Sequence, residues 1–257
     1  MPPLSRRRRA AADPAVGMTL MEHLGELRNR VFKALVALAV GAVIGFLLYN
    51  RTLSWLTQPY CDVKRQYSGA TASCRLVVTD PLESFSVRLK LSSYLGFLFA
   101  SPFVLWQLWR FITPGLYEKE KRYAIPFVGA SVLLFVMGAG LALLTFDKAL
   151  QFFAAFGGDN LELLYTPSKY LNLLVLMMVI FGLGFEFPIV LSFLQLAGVL
   201  SWRKLSEWRR WAVVTIFVVD AVVTPSGDPI TLLAMAVPMC IFYEISILLG
   251  RFVFRRS

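Results

Sequence analysis

Apolar positions in this chain gather into long runs instead of alternating, and the runs set the predicted elements. Residues 31–49 form the first, about the length a helix needs to cross a hydrocarbon core at 1.5 Å per residue. Further runs cover 86–112, 123–146, 169–196, 211–223 and 230–250. Ahead of them Leu20, Leu24, Leu27 and Val31 recur at helical spacing, which predicts an amphipathic helix lying at the membrane interface before the first span. Residues 50–85 and 147–168 read as polar loops, and 197–210 as a short basic one. Pro114-Gly115 separates the second run from the charged turn Tyr117-Glu118-Lys119-Glu120-Lys121-Arg122. Residues 1–17 read as a basic disordered tail with Arg6–Arg9 near anionic lipid, residues 18–250 as one membrane domain, and 251–257 as a second basic tail. Met18 is a second possible start.

Composition agrees with the runs. The 257 residues are 57% hydrophobic and 16% charged, with mean hydropathy +0.64, which predicts an all-α integral membrane protein. The net charge of +10 tracks loops on one side of a bilayer and is not a nucleic-acid signal. With six spans and both termini cytoplasmic, the inside segments hold 7, 4, 4 and 3 Lys/Arg and the outside loops 6, 2 and 0. The fifth run has only 13 residues, yet if it failed to cross, Arg251, Arg255 and Arg256 would fall outside. It is therefore read as a short span in thinned membrane or against other helices. No apolar stretch follows Arg6–Arg9 closely enough to read as a cleavable signal peptide. The halves share no pattern of the kind an inverted-repeat transporter shows.

Few residues could carry chemistry. Glu186, in Phe185-Glu186-Phe187-Pro188, lies seventeen residues past Lys169. A carboxylate at mid-bilayer costs about 2.5–3.5 kcal/mol on insertion scales, so it faces a polar path or groove or hydrogen-bonds a neighbouring helix. Pro188 also frees the carbonyl of Gly184. Asp228 before Pro229 fits a helix start as well as a polar groove residue. Asp220 lies near the outer end of its run, toward the headgroups, and Glu244 about two turns from Arg251, a spacing that suits an interfacial pair. Cys61 and Cys74 share one outside loop and are candidates for a disulfide; Cys240 reads as a small buried hydrophobe. His23 is the one histidine, with no Gly-Xaa-Ser-Gly run, P-loop or zinc constellation beside it, so no catalytic, metal or cofactor site is expected.

With these motifs placed, the sequence resembles the TatC family, the multispan core of the twin-arginine protein translocase. The resemblance rests on His23-Leu24-Gly25-Glu26-Leu27-Arg28-Asn29-Arg30, on Ser101-Pro102, and on Phe111-Ile112-Thr113-Pro114-Gly115-Leu116-Tyr117 with Glu120-Lys121-Arg122. It rests also on Phe185-Glu186-Phe187-Pro188 and on Thr224-Pro225 with Asp228 and Pro238. It implies a receptor for signal peptides bearing paired arginines, with Glu26 and Glu120 recognising the pair and Phe111, His23 and Leu27 beside them. It further implies a concave, glove-like bundle carrying Glu186, with Asp228 in the last outside turn. Implied partners are small single-span TatA-like and TatB-like subunits in an oligomer, and folded cargo driven by the proton-motive force. The outside turn departs from the family, reading Thr-Pro-Ser-Gly-Asp where Thr-Pro-Pro-Asp is frequent, and Leu232 stands where Gln is common.

Two other classes fit parts of the sequence. A proton-coupled small-molecule transporter would use Glu186 and Asp220 as a relay. An intramembrane aspartyl protease would need a second motif to accompany Gly182-Leu183-Gly184, and none is present.

Overall fold

A computed structural model of the protein describes residues 20–68, 74–112, 124–157 and 165–253. Every element in them is a helix: α1 Leu20–Leu56, α2 Gln58–Ser68, α3 Glu83–Ile112, α4 Ala124–Gly157, α5 Pro167–Gly184, α6 Phe187–Leu196, α7 Trp202–Glu207, α8 Arg209–Val223 and α9 Pro229–Phe252. Among the described residues, five segments are long and apolar enough to cross a membrane: Leu24–Gln66, Glu83–Phe111, Ile125–Phe156, Pro167–Leu196 and Pro229–Phe252. Helix α8, with 15 residues, reaches only about 22 Å.

Three readings of the sequence change. The amphipathic segment before residue 31 is not a separate interfacial helix; it is the first turns of α1. Residues 50–85 are not simply a loop, because α1 runs on to Leu56 and α2 follows. Tyr60 and Val63 of α2 are almost fully buried, one turn apart, where α2 packs against α4. Nor does the helix of the third apolar run end near Phe146, since α4 continues to Gly157 with Ala149, Leu150 and Ala154 buried.

The helices pack in ways the residues explain. Gly41 and Gly45 of α1 face Ser92 and Gly96 of α3, small residues spaced four apart on both helices. Such a seam brings two backbones together, which is how helices associate where no hydrophobic gain separates protein from lipid. The remaining faces of α1 are apolar and exposed, Leu47 at 79% among them, as hydrocarbon contact requires. The core proper lies among α4, α5 and α9, where Phe135, Phe146, Leu174, Met177, Phe181 and Ala236 are buried.

Helix starts and breaks follow their polar residues. Thr166 caps α5 ahead of Pro167, Ser201 caps α7, and Asp228 caps α9 ahead of Pro229. Inside α3, Pro102 removes the donor that Leu98 carbonyl would have had, and the Ser101 hydroxyl donates to that carbonyl at 2.8 Å instead. The extra residue in the Thr224–Asp228 turn is taken up by Gly227, which sits at φ 59°.

Cys61 of α2 is joined to Cys74 by a disulfide, the Cα atoms 5.2 Å apart. Reducing it is expected to lower stability by about 2–4 kcal/mol, through the looser unfolded loop. Thermal unfolding with and without a membrane-permeable reductant measures this; an unchanged midpoint would show that the bond contributes nothing.

Candidate functional site

One end of the bundle gathers the first turns of α1, the last turns of α3 and the first turns of α4. Glu26 and Arg30 stand four apart on α1, the spacing at which helix side chains meet. Arg30 Nε donates to Glu26 Oε1 at 2.9 Å, and its Nη2 reaches the same oxygen. Its third nitrogen, Nη1, donates to Gln107 Oε1 of α3 at 3.4 Å. Arg30 thereby ties Glu26 to a neighbouring helix and fixes the carboxylate's direction. The other oxygen, Glu26 Oε2, is buried with no partner among the described residues.

A buried carboxylate oxygen without a donor is costly, because its desolvation is not compensated. Glu26 is thus half used: one oxygen holds a guanidinium of the chain itself, and the other can accept another. Phe111 lies one turn beyond Gln107 on α3 and is half-buried, which places it on the same helix face. Leu27 is 37% exposed and Leu24 more so, leaving an apolar surface next to the carboxylate. Glu120, with Glu118, Lys119, Lys121 and Arg122, lies outside the described residues, as does the side chain of His23. Both basic tails do too, save Arg251, Phe252 and Val253.

Glu186 sits at the break between α5 and α6. Phe185 N–H still donates to Phe181 carbonyl at 3.0 Å, but Glu186 N–H donates to Leu183 carbonyl at 3.1 Å in a tighter turn, and Pro188 restarts the helix. Its carboxyl group lies beside Ser131 of α4, whose hydroxyl accepts from Trp109 Nε1 of α3 at 2.9 Å. The other face of Trp109 meets Phe127 and Phe193. The buried serine thus links α3 to α4 beside Glu186, one of whose oxygens, Oε1, is buried without a partner among the described residues. The local chain direction puts this cluster seven residues inside the start of α4, on the Glu26 side of the bundle.

The remaining acidic residues separate. Asp228 is fully buried, accepting from Thr231 N–H at 2.8 Å and bonding the Thr231 hydroxyl, which also meets Ser226 Oγ at 2.9 Å. That is a complete cap, and both carboxylate oxygens are engaged. Asp220 does not reach toward headgroups: it is fully buried on the α8 face that also carries Ile216, and neither oxygen has a partner among the described residues. Azimuth around the helix decided this, not distance along it. Among the described residues no direct hydrogen bond links Asp220 to Glu186 as a relay would require. Glu244 pairs with Arg209 of α8 at 2.9 Å instead of Arg251, which stacks over Trp202. Cys240 is half-buried rather than buried.

Sequence reasoning passed over Arg30, Gln107 and Ser131. The four-residue spacing from Glu26 marked Arg30; nothing along the chain marked the other two, whose roles depend on which helices are neighbours. No group of three or more His, Cys, Asp or Glu side chains that could hold a metal occurs among the described residues.

Residues 22–238 match the family model for the Sec-independent protein translocase protein, TatC. A protein of that name from Frankia casuarinae is 42% identical over 250 residues, covering 95% of this chain and 68% of its own. One from Aquifex aeolicus is 37% identical over 245 residues, covering 93% and 98%. The crystal structure of the twin arginine translocase receptor TatC in DDM superposes with a TM-score of 0.72 at 35% identity, covering 89% of this chain and 99% of that one.

Proposed function

The chain belongs to the Sec-independent protein translocase (TatC) family, and from that premise we propose that it is the receptor and core subunit of a twin-arginine translocase. It crosses the membrane six times, α8 being the short fifth span, with both termini cytoplasmic and a concave, glove-like face. At the cytoplasmic end it binds paired-arginine signal peptides. Glu26 and Glu120 each take one guanidinium, and Phe111, Leu27 and His23 border the site. TatA-like and TatB-like single-span subunits assemble with it to export folded proteins on the proton-motive force. The chain acts by binding and assembly, not catalysis.

The observation that carries the reading is Glu26. Its Oε1 already holds an arginine fork, which supports a geometry suited to a guanidinium, while Oε2 is buried and unclaimed among the described residues. Arginine pairs with carboxylate through two parallel donors, which lysine cannot copy, so such a site distinguishes Arg-Arg from Lys-Lys. Chain length supports membrane crossing: among the described residues five segments are long and apolar enough by length and composition.

Photo-crosslinkers placed at positions 24, 27 and 111 test the reading with a paired-arginine signal peptide in membranes holding the full chain. Adducts are expected at all three, lost when the peptide carries Lys-Lys. Equal crosslinking of both peptides would sink the receptor assignment.

A further inference from the structure

At the opposite end of α1 from Glu26, a cleft of about 400 Å³ opens between the end of α1, the extended segment 74–78 and the start of α3. Tyr49, Asn50, Arg75 and Ser84 line it. Arg88, one turn along α3 from Ser84, stands beside that lining and lays its guanidinium over the rings of Phe46 at 4.2 Å and of the lining residue Tyr49 at 5.2 Å. Neither Arg75 nor Arg88 has a carboxylate partner among the described residues. The nearest acid along α3, Glu83, is turned away, accepting from the backbone N–H groups of Thr79 at 3.2 Å and Ser168 at 3.1 Å.

We propose that this cleft binds the phosphodiester headgroup of an anionic phospholipid, with Arg75 and Arg88 as its guanidinium donors. Depth is the first reason. Tyr49 stands eighteen residues past Val31, about 27 Å along the helix, which is where a hydrocarbon core of about 30 Å gives way to headgroups. Chemistry is the second. Stacking on two aromatic rings holds the Arg88 plane in place while leaving its N–H edge open, and a guanidinium edge matches phosphate oxygens in pairs. The amide of Asn50 adds a neutral donor on the same wall. Surroundings are the third: Leu47, Leu82 and Phe85, close along the chain to the lining residues Tyr49 and Ser84, are 79%, 70% and 65% exposed, an apolar surface for acyl chains that a free anion would not need.

The test is native mass spectrometry of the full chain released from nanodiscs of phosphatidylcholine alone or with added phosphatidylglycerol. The wild-type chain should keep phosphatidylglycerol through delipidation, and the double variant Arg75→Gln, Arg88→Gln should keep about tenfold less, the scale of losing paired charge-assisted bonds. Arg51→Gln removes an exposed cation that neither lines the cleft nor stacks on the Tyr49 ring of its wall, and it should change nothing. Inorganic phosphate at the same concentration should not displace the lipid. Where the double variant is not monodisperse, Arg75→Gln alone decides, since Arg75 lies exposed on an extended segment; it should lose part of the retention. Unchanged retention in the arginine variants, equal loss in Arg51→Gln, or displacement by inorganic phosphate would each overturn the proposal.

Discussion

Glu26→Ala is expected to abolish export of paired-arginine precursors while the chain still inserts, and Glu120→Ala to do the same. Truncating one partner of a buried, hydrogen-bonded charge pair costs about 2–5 kcal/mol. At about 1.4 kcal/mol per tenfold, that weakens signal-peptide binding by roughly thirty-fold at least. Alanine at position 26 also strands Arg30, which is only 15% exposed and would keep Gln107 as its one neutral partner. Glu26→Gln separates the two effects. It leaves a carbonyl for Arg30 and so preserves the α1–α3 tie, but removes the charge that a signal-peptide arginine needs. Export should fail in both variants, while thermal stability should drop only in Glu26→Ala. Normal export by the Glu26→Ala, Glu120→Ala double variant would discard the two-carboxylate site.

How much of this was legible beforehand depends on what kind of information each feature needs. Long apolar runs declare themselves, because the bilayer selects on length and composition, both properties of one segment. The break at Phe185-Glu186 was legible for a similar reason: Pro188 cannot continue a helical ladder, whatever packs beside it. Helix α2 was not. Among its described side chains Tyr60 and Val63 are the buried apolar ones, a single turn of signal inside eleven mostly polar residues. The extension of α4 past Asp147 was missed because charges mark the edge of the membrane and were taken for the edge of the helix. Glu244 shows the remaining gap. Its distance from Arg251 is fixed by the chain, but its partner, Arg209, comes from another helix, and only packing reveals that neighbour. The same holds for Ser131 beneath Glu186. The positions of the acidic residues along the chain could be read; what faces them could not.

The seam between α1 and α3 carries the second large effect, at a distance from any acidic residue. A Cβ built on Gly96 would lie 2.5 Å from Ala42 N and 2.7 Å from its Cα, and one on Gly41 would lie 2.6 Å from Gly96 O. These are backbone atoms, which cannot rotate aside as a side chain would, so the helices themselves must part. Overpacking costs about 1–3 kcal/mol where side chains can adjust, and more is expected here. Gly96→Leu should therefore lower the unfolding midpoint sharply and, because α1 has little protein contact beyond α3, swing Arg30 away from Gln107 and carry Glu26 with it. Signal-peptide crosslinking at position 27 should fall in step with stability, although Gly96 is more than two helical turns from Gln107 on α3. Gly140→Ala provides the contrast. Nothing lies within 4 Å of a Cβ there, and alanine is favoured over glycine within a helix by about 0.5–1 kcal/mol, so stability should hold or rise. If Gly96→Leu melted and crosslinked like the wild-type chain, the close α1–α3 approach would be wrong, and with it the placement of Glu26 by a neighbouring helix.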